Sequence, residues 1–485
     1  MTHNVIDITK LVLISKTPAP PTNQIELDRL IYTLKFGDHY PLRDEAQLNQ
    51  TLLQEVQDFL IEEHATLVRE SFGNRVKKKV LQKIITQYLS QNAKNNMNGY
   101  DLGQLSKQMV NEISGLGVFD VILESGDVTD VAFNGTEIWI KDNGIGKYKS
   151  DYSITSDEVE KIATKIARAT GRTWNYTKPE LDAELGALRI NAMDKDIATY
   201  GVTLAIRKAS EDLRVTEQNF VKSELGSELI RDFLKACIAA NCNILITGET
   251  GTGKTELLKY LLGFTNDKDR INLLEDTREM NLKKHYPNKD IMAWRTRSTE
   301  DMTKSIGYER LLRSSLRSDP EWIVVSETRG GEALDMIKAG MTGHRIGTSL
   351  HSKSAKLAPN RLITMAQEKQ NMDNETLGTM ITDVFDLGIH IERDQEDGTR
   401  RIVELVEFKG FLQGKTLSNT IFEYGITGTE KVNVDGQMKF RSIKAHTFVD
   451  RISEDLGKKL LESNELTETL IPLLPEKWAK EVNIL

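Results

Sequence analysis

Apolar residues recur every fourth position at Leu48, Leu52, Val56 and Leu60, with Gln54, Glu55 and Asp58 between them. A stripe of that period is one face of an amphipathic helix, and residues 1–100 read as a helical N-terminal extension. Within it, Pro18-Ala19-Pro20-Pro21 breaks any helix and predicts an extended connector. The polar run Gln91-Asn92-Ala93-Lys94-Asn95-Asn96-Met97-Asn98-Gly99 marks its end. From 101 to 208 the pattern is mixed. Residues 130–133 predict a strand running into a turn at Asn134-Gly135, and residues 137–141 a second strand that ends near Asp142-Asn143-Gly144. Val159, Ile162, Ala163 and Ile166 then have helical spacing, and residues 188–191 and 202–208 predict two more strands. This is the pattern of an α+β domain.

A polar linker over 209–228 leads into a segment, 229–410, in which short apolar runs alternate with helical ones. The runs Asn243-Ile244-Leu245-Ile246, Arg270-Ile271-Asn272-Leu273-Leu274 and Trp322-Ile323-Val324-Val325 read as buried strands. Strands alternating with helices predict a parallel sheet covered on both faces. The C-terminal extension, 411–485, offers less. Val434-Asp435-Gly436-Gln437 fits a hairpin turn, and Ile452, Leu456 and Leu460 predict a closing helix.

Composition narrows the classes. The 485 residues are 39% hydrophobic, and no uncharged apolar run reaches the length of an ordinary transmembrane helix. The start, Met1-Thr2-His3-Asn4-Val5-Ile6-Asp7, lacks the basic and apolar regions of a secretory signal, so the chain is expected to stay in the cytoplasm. Cys237 and Cys242 are too few for a disulfide framework or a four-ligand zinc site, and their apolar neighbours predict buried free thiols. The net charge of −8 disfavours general binding to nucleic acid or an anionic membrane, while leaving room for a local basic patch. The densest such patch runs from Arg75 through Lys77, Lys78 and Lys79 to Lys83. A solvated helix face is its first reading, and a lipid or partner contact its second.

The strongest chemical signal is Gly248-Glu249-Thr250-Gly251-Thr252-Gly253-Lys254-Thr255, a full match to the phosphate-binding loop G-x-x-x-x-G-K-[ST]. Glycines let backbone N–H groups turn inward around phosphate oxygens, and the helix that follows points its positive end at them. Lys254 would reach the β- and γ-phosphates, and the Thr255 hydroxyl is the expected magnesium ligand. The apolar run before the loop and Leu257, Leu258, Leu261 and Leu262 after it supply the strand–loop–helix context the motif requires. Hydrolysis also needs an acid at a neighbouring strand end to help hold magnesium or activate water. Glu327 and Glu275 both stand at such ends, where open α/β sheets bind ligands. The plainer alternative for each is a surface acid that caps the next helix. Residues 342–351 place two histidines, His344 and His351, after the Glu327 strand, and His351 is a candidate γ-phosphate sensor.

Together these elements resemble the secretion ATPases of the type II/type IV superfamily, most closely the tight-adherence pilus and type IV secretion branch. The family's phosphate loop, Asp box, variant Walker B and His box correspond to residues 248–255, 274–279, 319–333 and 342–351. Gly115-Leu116-Gly117-Val118-Phe119 and residues 130–135 resemble the opening of its N-terminal domain. Residues 185–191 and 201–208 resemble its arginine-bearing strands. The resemblance implies an α/β chain with a RecA-like P-loop core, a preceding α+β domain and a helical N-terminal extension. It implies ATP and Mg²⁺ as ligands, and a homo-oligomeric ring in the hexameric form the family takes. In that ring Arg189 and Arg207 would reach the phosphates, with Arg317 and Arg329 as further candidates. Three departures stand out: Glu256 where threonine is commoner, Ser326 where glycine is usual, and Ser352-Lys353 after His351. The four-cysteine zinc insertion of the type II branch is missing.

The expected function is a cytoplasmic motor at the inner face of the membrane, which couples ATP hydrolysis to pilus assembly or export through a platform protein. Stable nucleic-acid binding is not expected. A helicase-like or DNA-transfer motor, or a nucleotide-gated scaffold with little hydrolysis, are the competing readings. Cargo, ring size, the roles of 1–100 and 411–485, and the choice between Glu275 and Glu327 as the water-activating group are left open by sequence.

Overall fold

The computed structural model describes residues 50–92, 102–209, 212–297, 302–394, 397–434, 437–463 and 465–482. The chain divides into two compact units, residues 1–139, 149–186 and 191–205 in one and residues 140–148, 187–190 and 206–485 in the other. The Pro18–Pro21 connector and most of the polar run at 91–99 lie outside the described residues.

The N-terminal elements are helices α1 (Gln50–Ser71), α2 (Arg75–Asn92), α3 (Leu102–Ser114) and α4 (Val118–Leu123), strands β1 (Val128–Phe133), β2 (Ile138–Asp142) and β3 (Gly146–Lys149), helix α5 (Ser156–Thr170), and strands β4 (Glu180–Leu185), β5 (Leu188–Met193) and β6 (Thr203–Lys208). Of the predicted stripe, Val56 and Leu60 are buried on α1 and Leu52 is half-buried, and Leu48 lies outside the described residues. The basic run on α2 is a helix face laced with ion pairs, Lys77 to Glu70 at 2.8 Å and Arg75 to Glu124 at 3.6 Å, with Lys78 on Asp120. Helix α5 starts where Thr155 and Glu158 form a reciprocal capping box, and it buries the predicted Val159, Ile162, Ala163 and Ile166. The six strands form one sheet of order β3-β2-β1-β6-β5-β4.

The second part runs α6 (Glu228–Ala239), β7 (Ile244–Gly248), α7 (Lys254–Leu262), β8 (Arg270–Glu275), α8 (Leu282–His285), β9 (Asp290–Arg295), α9 (Tyr308–Ser315), β10 (Trp322–Val325), α10 (Glu332–Met341), β11 (Arg345–Leu350), α11 (Ala358–Lys369), α12 (Asn374–Val384) and β12 (Leu387–Arg393). It closes with β13 (Arg400–Leu412), β14 (Lys415–Val434), β15 (Gln437–Phe448), α13 (Glu454–Glu462) and α14 (Glu476–Val482). The nine strands have the order β15-β14-β13-β12-β7-β11-β10-β8-β9. The pairs from β12 across to β9 are parallel, and β12 to β15 are antiparallel.

Alternation along the central strands builds two apolar layers. Ile244, Ile246, Trp322 and Val324 join a cluster with α6 and α7, whereas Leu245, Ile323 and Val325 join another with α10, α11 and α12. A strand buried on both faces reads as a continuous apolar run, which is why β7, β8 and β10 stand out in the sequence. Phe220 and Leu225, from the stretch before α6, are buried in the first of these clusters. Cys237 and Cys242 are buried and free. The sheet with helices on both faces is the RecA-like P-loop core, and the α+β part and the α1–α2 helices precede it. The predicted hairpin is bracketed by Val434 of β14 paired with Gln437 of β15, and its Asp435 and Gly436 lie outside the described residues. No helix among the described residues is long and apolar enough to cross a membrane.

Candidate nucleotide site

Strand β7 ends at Gly248, whose φ of 151° and close neighbours exclude a side chain. A Cβ there would stand 2.3 Å from the Ile391 carbonyl on β12. The loop then closes on Gly253, at φ 101° in the left-handed region, which caps the start of α7. Lys254 and Thr255 therefore open a helix directly after a turn of bare backbone, with Thr255 half-buried in the first turn. Lys254 itself is buried, and its Nζ donates to the carbonyls of Gly248 at 3.0 Å and Glu249 at 2.9 Å. Burial pushes its ammonium down to about 8, and the charge of Glu327 partly offsets that shift. Glu249 and Thr250 are exposed at the loop tip, and Thr252 is buried with its hydroxyl on the Glu249 carbonyl at 2.9 Å.

Parallel pairing brings the ends of β10 and β11 beside the loop. His351 follows β11, with Nδ1 3.1 Å from the Gly248 carbonyl and 3.4 Å from Lys254 Nζ. Its Nε2 is 3.1 Å from Glu327 Oε1. Arg329 Nη2 donates to the other oxygen of Glu327 at 3.0 Å, and Arg329 Nη1 lies 3.4 Å from Asp276 Oδ2. One connected set thus runs from the loop through Lys254, His351 and Glu327 to Arg329 and Asp276. Burial pushes the Glu327 carboxyl up, but the Arg329 guanidinium, His351 and Lys254 outweigh it and hold the group below the ordinary glutamate range. Arg329 is raised in turn, chiefly by its bond to Glu327.

The other predicted residues fall differently. Glu275 is buried, and its Oε1 accepts the backbone N–H groups of Glu279 at 3.0 Å and Met280 at 2.8 Å. Burial raises its carboxyl despite those bonds. It braces the turn after β8. His344 sits at the opposite end of β11 from His351, with Nδ1 on Thr342 Oγ1 at 3.1 Å and near the Ala339 carbonyl at 3.2 Å. A six-residue strand spans roughly 20 Å, which separates the two histidines. Arg317 is exposed between α9 and β10. Arg189 on β5 and Arg207 on β6 exert their charge on Glu279, whose carboxyl burial raises and these two arginines lower.

Sequence reasoning missed Glu279, although it is the third acid of the short segment 274–279 that holds Glu275, and the charge of Glu327 helps to raise its carboxyl. It also missed Arg400, whose Nε donates to the Gly251 carbonyl at 3.0 Å. That contact depends on the antiparallel return of β13, and the sequence carries no signal of it.

Ser326 is held through its backbone, whose N–H donates to the Leu274 carbonyl at 2.9 Å and whose carbonyl accepts from the Ser349 hydroxyl at 2.7 Å, bonds that serine and glycine make alike. The Glu256 departure has a structural reason. Glu256 accepts from Lys259 Nζ at 2.8 Å, and Lys259 is only 1% exposed. Removal of that partner leaves a buried ammonium uncompensated, which costs about 3 kcal/mol. Glu256→Ala is expected to lower the unfolding midpoint of this unit in a thermal melt, and Glu256→Gln combined with Lys259→Met to recover most of it. An unchanged midpoint in the single variant would contradict the pairing account.

Known proteins resemble this chain in sequence. The sequence profile of the family described as type II/IV secretion system protein matches residues 182–404. An uncharacterized protein of Bacillus anthracis, pXO2-25/BXB0023/GBAA_pXO2_0023, is 29% identical over 426 residues, which covers 87% of this chain and 92% of that one. The type IV secretion system protein PtlH of Bordetella pertussis is 31% identical over 58% of this chain and 90% of its own length. The conjugal transfer protein TrbB of Rhizobium radiobacter is 28% identical over 60% of this chain and 87% of its own length. With PtlH 31% identical and matched over 90% of its length, and with the phosphate loop and both acid-bearing strands inside the region the family profile matches, the chain belongs to the type II/IV secretion system protein family.

Proposed function

We propose that this chain binds and hydrolyses ATP at the loop of residues 248–255, and that it works as a homo-oligomeric ring motor. The observation that carries the reading is Glu327 held between His351 and Arg329 within one hydrogen-bonded step of Lys254. Gly248, pressed against the Ile391 carbonyl, and Gly253, in the left-handed region, fix the turn of the loop, and Lys254 would exchange its two loop carbonyls for phosphate oxygens. Magnesium, when held by the Thr255 hydroxyl and the phosphates, shields the charge that an attacking water must approach. Glu327, kept ionised by Arg329, is the group we assign to take the proton from that water. His351 orients Glu327 and touches the loop carbonyl, so it can register the state of the phosphates. Glu275, locked onto the backbone of its own turn, is assigned a positioning role instead. Arg189, Arg207 and Glu279 form the charged group that would face the phosphates from β5, β6 and the β8 turn.

The family's members serve secretion and transfer systems, and we place this chain with them: cytoplasmic, at the inner face of the membrane, driving export or pilus assembly through a membrane platform protein. The Arg329 contact gives a pH test. A carboxyl held low keeps its base form during acidification, so hydrolysis in the wild type persists to low pH. Arg329→Ala removes that hold, and the acid limb of the turnover–pH profile is expected to move to higher pH. An unmoved limb would assign it to another group. The ring is tested by phosphate release across a protein-concentration series. Specific activity that rises as subunits associate is expected, and constant activity per subunit through association would overturn the cooperative ring.

A further inference from the structure

Strand β13 pairs with β14 from Leu412 opposite Lys415 back to Glu404 opposite Glu423. Beyond Glu423, β14 pairs with β15 alone, as far as Val434 opposite Gln437. Eleven residues at about 3.4 Å each make this two-stranded ribbon roughly 35 Å long. A two-stranded ribbon is at best marginally stable in water by itself, and this one displays large apolar side chains. Ile426 is 68% exposed, Met438 63%, Phe440 73% and Ile443 46%.

Register places these side chains. Ile426 lies opposite Lys444, and period-two alternation along β15 puts Met438, Phe440 and Lys444 on that same face. Ile443, opposite Gly428, lies on the other face, with Arg441 two residues away opposite Glu430. A protein groove or a neighbouring sheet covers one face of a ribbon. Apolar side chains on both faces call for a medium that surrounds the ribbon. The charges complement one kind of medium: Lys444 pairs with Asp394 at 3.3 Å, and the ribbon's sequence beyond it still carries Lys431, Lys439 and Arg441 against Glu430 and Asp435, in a chain whose net charge is −8. Lys431 Nζ also stands 5.8 Å from the Phe440 ring centroid, which sets a cation directly beside that exposed ring.

We propose that the β14–β15 ribbon is a membrane-contacting arm, with its distal apolar side chains entering the interface of an anionic lipid bilayer and its basic residues meeting the headgroups. Apolar burial and electrostatic attraction to anionic lipid together give interfacial binding. The arm lies outside the nucleotide site and beyond residues 182–404, so the proposal stands apart from the assignment of hydrolysis.

Co-sedimentation of the full chain with vesicles tests it without nucleotide. Binding is expected to phosphatidylglycerol-containing vesicles, weakened by salt, and not to pure phosphatidylcholine. Each of Lys431→Glu and Arg441→Glu is expected to lower the partition coefficient at least fivefold, at about 1 kcal/mol per basic residue. Phe440→Ser is expected to lower it as well. Retained nucleotide binding would show that these variants are folded. In a Phe440→Trp variant the added emission should shift to the blue with anionic vesicles. No vesicle binding by the wild type, or binding that the ribbon variants leave unchanged, would overturn the proposal and point to a protein occupant of the arm.

Discussion

Lys254→Ala is expected to abolish measurable nucleotide binding. The ammonium is a cation inside the loop, buried and already bonded to two loop carbonyls. A hydrogen bond to a charged group contributes about 1.5–3 kcal/mol, and a loss of about 3 kcal/mol is about a hundredfold in Kd. The same group predicts a pH dependence of affinity in the wild type. In the free protein burial pushes its titration down to about 8, whereas bound phosphates would keep it charged and so raise it. ATP binding therefore takes up a proton above pH 8. Affinity should be full below that value and fall as pH rises through it, by up to about tenfold per pH unit. Titration calorimetry in buffers of different ionisation enthalpy reads both quantities. A Kd for Lys254→Ala equal to that of the wild type would remove Lys254 from the site.

Glu327→Gln is the complementary case: ATP should bind and stay uncleaved. Glutamine keeps the size of the side chain, can still accept from Arg329, and cannot take a proton from water. General-base contributions are about 10²–10⁴ in rate, so turnover should fall by that factor while the Kd for ATP stays within a few-fold. Glu275→Gln is a useful contrast. Its carboxylate bonds only to the backbone of the turn that carries Glu279, so its loss should act through the fold of that turn. Reduced thermal stability is expected alongside any loss of rate.

Much of this was legible before any coordinates. The β7, β8 and β10 runs are continuous apolar sequences because each strand is buried on both faces, and the phosphate loop is a contiguous motif. Strands with one wet face were harder to see. Strand β4 reads Glu-Leu-Asp-Ala-Glu-Leu, with its acids on the accessible side. Strand β14, twenty residues long, has few apolar neighbours in sequence because half of it pairs only with β15. At the site, sequence named Glu327, Lys254 and His351, and the structure sets them in a row, with His351 3.4 Å from Lys254 and 3.1 Å from Glu327. It could not rank Glu275 against Glu327, because the difference lies in which neighbours each carboxylate meets. For Glu275 these are two backbone N–H groups, and for Glu327 an arginine and a histidine. The Arg400 contact with Gly251 joins residues 149 positions apart, and no local pattern announces it. Glu256 is a departure in sequence alone, and the buried Lys259 beside it accounts for it.

The central claim is that Glu327 performs the hydrolytic step at this loop. Its most direct test is single-turnover cleavage of pre-bound ATP with magnesium, the wild type run beside Glu327→Gln at protein concentrations that hold both assembled. The account predicts that the wild type converts the bound ATP to ADP and phosphate, while the variant retains it uncleaved with unchanged affinity. Cleavage at the wild-type rate in Glu327→Gln would contradict it and move the chemistry to another carboxylate.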